Sequence, residues 1–335
     1  MSTEIAQQQT GIQLQSPPEQ PISDRTLSQY GQQLRFDDKF LKKANEVCKR
    51  VCDTVKNTEF KPDRFSVSES HVCQEGAEDT GVDIVAYLKE SQDLNQAKSK
   101  YNEELKKLGC QKLSVDDKGV IHCEVDNVKV NLGVSTSRGP TVAEHRKAVF
   151  QQTAKLDKEG KLQKNQVEKV SVDLHDSMSE FMKRDQDDFD LAAQRLARAW
   201  RRTALAPWGD WFSPLDATLV MRNALSSERQ RTSGTMAMRD VMRRFFNDLV
   251  NIEDMALTFP DTSMYDWELV PQRIQQERPL LLDPVNPFRN PFSGLSSNVF
   301  QDIRKQAQEA LRLVESSASM SELFQVPPEE ERRGA

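Results

Sequence analysis

The chain has 335 residues, enough for one large domain or two lobes with an ample core. Its 46 Lys and Arg against 52 Asp and Glu give a formal net charge of −6, which excludes nucleic-acid binding along a whole face and leaves at most a local basic patch. No apolar run approaches the roughly 18 residues of a membrane span, and five cysteines without paired spacing or a basic-then-apolar leader point to a reduced cytosolic or nuclear protein.

Residues 1–33 are rich in Gln, Ser and Pro and read as a disordered tail. Phe36–Val55 is amphipathic, with Phe40, Ala44, Val47, Cys48, Val51 and Val55 as its apolar stripe, and predicts a helix. Val82–Leu88 is β-branched and predicts a strand. Asp93–Leu108 predicts a charged helix. Val120–Val125 and Val128–Val134 alternate around Asp126-Asn127 and predict a hairpin. Further on, Val170–Met182, Phe189–Ala204, Pro214–Leu225, Met236–Leu257 and Val299–Val314 have helical periodicity. Leu280–Leu282 is a short buried apolar run, closed by Pro284 and Pro287. Residues 316–335 end in charge and read as a flexible tail.

Five segments together resemble the 2′-5′-oligoadenylate synthetase family. These are RPLLLDPVNPFRN (Arg278–Asn290), FDLAAQRLARAW (Phe189–Trp200), VSVDLHDSMSEFMKR (Val170–Arg184), the helix from Met238 to Phe259, and the helix containing FLKKANEVCKRVCDTVKNTEF. The resemblance spans about Phe36 to Val314, in the family's order. It implies an α+β, bilobal nucleotidyltransferase fold, with a small mixed sheet packed on a helical lobe. The boundaries expected are 34–166 for the nucleotidyltransferase-like lobe and 167–315 for the helical C-terminal-like lobe. It also implies ATP in the cleft, Mg²⁺ as cofactor if the protein is active, double-stranded RNA as a regulator, and an antiviral, innate-immune setting.

Joining a ribose hydroxyl to an α-phosphate uses two Mg²⁺ ions held by hard carboxylate oxygens. The family pattern places two carboxylates two apart on one strand, hence on one face, and a third on a neighbouring strand. In this chain Asp83 matches one of them, Gly81 stands at the first position and Asn131 at the third. Lys129 shares the expected face and would repel a cation, whereas Glu124 and Asp126 are expected on the opposite face. In the phosphate turn Ser68 and Ser70 remain as hydrogen-bond donors, but Glu69 sets a negative charge where a triphosphate would lie. Arg198 falls at the family's nucleotide-contacting Lys. Lys42, Lys43, Lys49, Arg50 and Lys56 are the candidate RNA-binding residues.

These residues imply a divergent synthetase-like protein with lost or weakened transfer activity, binding a nucleotide or RNA. Two alternatives stay open: an active synthetase in which Asp79 or Asp126 assists Asp83, and a protein-interaction scaffold unrelated to nucleotides. A zinc site from His71, Cys73, Cys110, His122 and Cys123 is disfavoured, because its pairs are poorly spaced and adjacent strand residues face opposite ways.

Overall fold

The computed structural model describes residues 17–35, 38–68, 82–116, 119–184, 186–205, 211–232, 234–259 and 263–325. A five-stranded sheet is built from β1 (Arg64–Val67), β2 (Val82–Leu88), β3 (Gln111–Val115), β4 (Ile121–Val125) and β5 (Val128–Thr136), in the order β1-β2-β5-β4-β3. Only β2 and β5 are parallel; the remaining neighbours are antiparallel. The β4–β5 hairpin turns on Asp126 (φ 51°) and Asn127 (φ 60°), and a two-residue turn with both φ positive matches strand twist.

One sheet face buries Val82, Ile84, Ala86 and Leu88 with Val128, Val130, Leu132 and Val134. It packs on the helix predicted near Phe36–Val55, which runs Asp38–Lys56, and on the helix Leu94–Lys107, whose N-cap Asp93 accepts from the N–H groups of Asn95 and Gln96. In chain order the helices are α1 (Asp24–Gln33), α2 (Asp38–Lys56), α3 (Leu94–Lys107), α4 (Val142–Lys158), α5 (Lys164–Asp173), α6 (His175–Lys183), α7 (Asp188–Trp200), α8 (Pro214–Arg231), α9 (Met238–Val250), α10 (Gln272–Gln275), α11 (Ser297–Ser316) and α12 (Met320–Leu323). The second core, in the helical body, is organised around Trp200, whose ring meets Phe245 and Phe246 edge-on at 5.8 and 5.1 Å between centroids.

Several expectations change. Residues 17–33 are not all tail: Ser23 and Thr26 form a capping box, and α1 buries Leu27 and Tyr30 on the helical body. At the other end Ser316–Gln325 is tied down as well. Ile22 donates to the Ala318 carbonyl at 2.7 Å, Met320 donates to the Gln20 carbonyl at 2.9 Å, and Phe324 lies 5.0 Å from the Tyr30 ring. The single helix expected over Val170–Met182 is two helices that meet at Leu174. The Met236–Leu257 helix stops at Val250 and gives way to a short turn and a two-residue strand, Ala256–Leu257, beside Leu280–Leu281. Val149 and Phe150 of α4 belong to the helical-body core.

RPLLLDPVNPFRN is a buried brace. Asp283 is 1% exposed; its Oδ1 accepts from the N–H groups of Val285 and Asn286 at 2.9 and 3.0 Å. Asn286 in turn donates to the Val167 carbonyl and the Ser171 hydroxyl, both at 3.0 Å, which fixes α5 to the body.

Candidate functional site

The second face of the sheet carries Asp83, Val85 and Tyr87 on β2, level with Asn131, Gly133 and Ser135 on β5. Helix α5 covers part of this face. A Cβ on Gly133 would stand 2.9 Å from Val172 Cγ1, so the helix lies nearly on the strand. Beyond it, Tyr87 donates to the Asp173 carbonyl at 3.1 Å and Ser135 donates to the Asp173 carboxylate at 2.7 Å. Asp83 and Asn131, nearer the start of β2, stay half-buried.

The two residues touch: the Asn131 amide Nδ2 donates to Asp83 Oδ1 at 2.7 Å. Because a carboxylate only accepts, this bond fixes the amide, and Asn131 Oδ1 is turned to His122 Nδ1, 2.7 Å away. His122 Nε2 faces Asp116 Oδ2 at 3.1 Å. A row of four side chains, Asp83–Asn131–His122–Asp116, thus crosses three strands and the loop after β3. Sequence reading missed His122 as a member, although the signal was there. A two-residue turn at Asp126-Asn127 pairs residue 125 with 128 and therefore His122 with Asn131.

The same register corrects the expectation for Glu124. It pairs with Lys129 and shares the Asp83 face rather than the opposite one, but its carboxylate is held by Lys112 at 2.8 Å. Asp126 sits on the hairpin turn and pairs with Arg50 of α2. Gly81, Glu69, Ser70 and Asp79 lie outside the described residues, as do His71 and Cys73. Ser68 is buried just past β1, its N–H donating to the Asp83 carbonyl at 2.9 Å. Cys123 faces the core, whereas His122 lies on the opposite face.

Among the described residues no three His, Cys, Asp or Glu side chains come together as a metal-binding group. Among the described residues, Asp83 with an amide already hydrogen-bonded to it, and Glu124 held by Lys112, are a poor match to a two-Mg²⁺ centre, which is built from several charged oxygens.

Arg198 is not on this face. It is 5% exposed within the helical body, and its Nε donates to the Thr218 hydroxyl at 2.8 Å. Burial lowers its pKa to about 9. Lys42, Lys43, Lys49, Arg50 and Lys56 are exposed along α2, with Lys56 5.5 Å from the centre of the Phe65 ring. No described helix is long and apolar enough to cross a membrane.

No protein-family model matches the chain, and no curated protein matches it in sequence. Solved structures do match. CdnC of E. coli MS115-1, in a complex with HORMA-deltaN, superposes with a TM-score of 0.62 at 15% identity, covering 88% of this chain and 91% of that one. The same protein with ATP gives 0.62 at 14%, over 88% and 92%. Cid1, described by its RNA terminal uridylyl transferase activity, gives 0.60 at 12%, over 91% and 100%. At these identities the likeness concerns the fold and does not single out the oligoadenylate synthetases. The small mixed sheet on a helical body, shared over nearly the full length of these proteins, is a nucleotidyltransferase fold.

Proposed function

We propose that the chain is an oligoadenylate-synthetase-like protein that binds a nucleotide or RNA, with nucleotidyl transfer lost or greatly weakened. The observation that carries this reading is the bond between Asn131 and Asp83. At the third carboxylate position an amide donates a hydrogen bond to the carboxylate that it would otherwise have joined in holding a cation. His122 and Asp116 brace that amide from behind. The face is thereby organised by hydrogen bonds among its own side chains. Two observations favour a nucleotide as ligand: CdnC was solved with ATP, and Cid1 with MgGTP. The exposed lysines of α2 supply a local cationic stripe of the kind that contacts phosphates. An innate-immune role follows from the resemblance alone, and a cytoplasmic or nuclear location from the cysteine pattern.

The test has two measurements on the pure chain. Incubation with ATP, Mg²⁺ or Mn²⁺ and single- or double-stranded RNA should yield no 2′-5′-linked oligomers on anion-exchange chromatography. Calorimetry with ATP should show binding. Robust oligomer synthesis would overturn the loss of activity, and absence of both nucleotide and RNA binding would overturn the ligand class.

A further inference from the structure

A cavity of about 670 Å³ opens at the far end of the parallel strands, where Lys89 and Glu90 follow β2 and Arg138 and Gly139 follow β5, with Asp63 and Arg64 at the start of β1. Lys89 is six steps along the chain from Asp83, roughly 20 Å at strand rise, so this space is distinct from the Asp83 face. Its volume falls in the range of small-molecule sites.

Formal charge around the cavity is close to balanced. Asp63 and Glu90 line it, Asp176 takes Nη1 of Arg64, and Asp173 lies 3.8 Å from Arg138. Hydrogen bonding is not balanced. The Asp173 carboxylate is already engaged by Ser135 and Lys169, both at 2.7 Å. Its distance to Arg138 is too long for a hydrogen bond, and the Arg138 guanidinium donates to no other described side chain. Arg64 Nε and Nη2 are buried and have no hydrogen-bond partner among the described residues. Lys89 is exposed and makes no ion pair among them. Among the described residues the Asp63 and Glu90 carboxylates take none of these donors, so Arg64, Lys89 and Arg138 all keep unmet N–H groups here. Buried N–H groups left unmet are costly, and a bound acceptor would satisfy them.

The guanidinium of Arg64 is stacked on Tyr87, 3.7 Å from the ring centroid. A planar fork that presents several N–H groups suits a phosphate, whose oxygens only accept. We propose that this cavity is a binding site for a phosphate-bearing small molecule, held by Arg64, Lys89 and Arg138. Entry of the phosphate turns Arg64 from its shielded position toward the cavity. Arg64 and Arg138 also contact Asp176 of α6 and Asp173 of α5. Occupancy thus bears on the contacts between the sheet and the helical body. The proposal is independent of the reading of the Asp83 face.

Calorimetry with inorganic pyrophosphate tests it, at low salt and without metal. Wild type should bind, and Arg138→Ala should weaken binding at least about tenfold, the effect of losing a charge-assisted contact. Lys89→Ala removes an exposed side chain, leaves folding intact and should weaken binding by about threefold or more. Arg64→Lys keeps the charge but loses the fork, and should also weaken it. Succinate should bind at least about tenfold less tightly than pyrophosphate. Failure of wild type to bind at about 10 mM, a limit set by affinities near 3 kcal/mol, would overturn the proposal. So would unchanged binding in both Lys89→Ala and Arg138→Ala, or succinate binding as tight as pyrophosphate.

Discussion

Asn131 and Asp83 are directly opposed on parallel strands, and the amide of one donates to the carboxylate of the other at 2.7 Å. Asn131→Asp should replace the hydrogen bond by two facing carboxylates. In the absence of metal the variant should lose about 1–3 kcal/mol of stability, since a half-buried bond is broken and like charges face each other. Mn²⁺ should recover that loss, and Mn²⁺ affinity measured by paramagnetic line broadening should rise by about tenfold or more over wild type. An unchanged Mn²⁺ affinity would mean that the two side chains do not share a cation-sized space.

Much of the frame was legible because its signals are local. Val82–Leu88 carries its own β-branched run, and Asp126-Asn127 marks the hairpin. Even the pairing of His122 with Asn131 follows by counting back from that turn; what hid it was reading His122 with Cys123 as a failed metal pair. Helix α1 escaped because its Gln-rich composition resembles a solvated tail, although Leu27 and Tyr30 stand at helical spacing behind the Ser23 cap. The burial of Arg198 against Thr218 was not legible, since helix α8 supplies that partner 20 residues away and no local pattern announces it. The cavity at Arg64 and Arg138 depends on three separate strand ends, so its only signature is tertiary.

His145 makes the stability of the chain depend on pH. Its Nε2–H donates to the Asp173 carbonyl at 2.7 Å, and its Nδ1 accepts from the Arg138 N–H at 3.1 Å, so the folded ring is neutral. Burial holds its pKa below the ordinary value, with Arg64 and Arg138 acting in the same direction and Asp173 opposing them. The unfolded chain takes up the proton near pH ~6.5, whereas the folded chain takes it up only at lower pH. Between those two values the unfolded state binds more protons, so stability falls as the pH drops below about 6.5 and levels off under the folded pKa. Thermal denaturation between pH 7.5 and 5.5 should show a shallower decline for His145→Gln than for wild type. Parallel curves would remove His145 as the source.

Gly133 sets how closely α5 approaches the sheet. A methyl group there would meet Val172 Cγ1 at 2.9 Å and Val85 Cγ2 at 3.1 Å, closer than packed carbons normally approach. Gly133→Ala should therefore cost about 1–3 kcal/mol by overpacking, read as a lower denaturation midpoint. Adding Val172→Ala restores space, so the double variant should be more stable than the sum of the two single losses. Strict additivity would show that the clash is relieved elsewhere.

Gly31 gives a test in which steric and propensity arguments have opposite signs. It lies within α1, where Ala is favoured over Gly by about 1 kcal/mol in a solvated helix. If α1 were a loose appendage, Gly31→Ala would stabilise it. In the folded chain the added methyl would stand 2.7 Å from the Ala192 carbonyl oxygen and 3.0 Å from its Cβ, and a helix backbone cannot yield as a flexible side chain can. The carbonyl of Gly31 also accepts from Arg195 Nη1 at 3.3 Å, so a displaced α1 loses that bond too. The substitution should lift α1 from α7, uncover Leu27 and Tyr30, lower the melting temperature and speed proteolysis between residues 17 and 35. A variant as stable as wild type, or more so, would show that α1 does not pack on α7 at this distance.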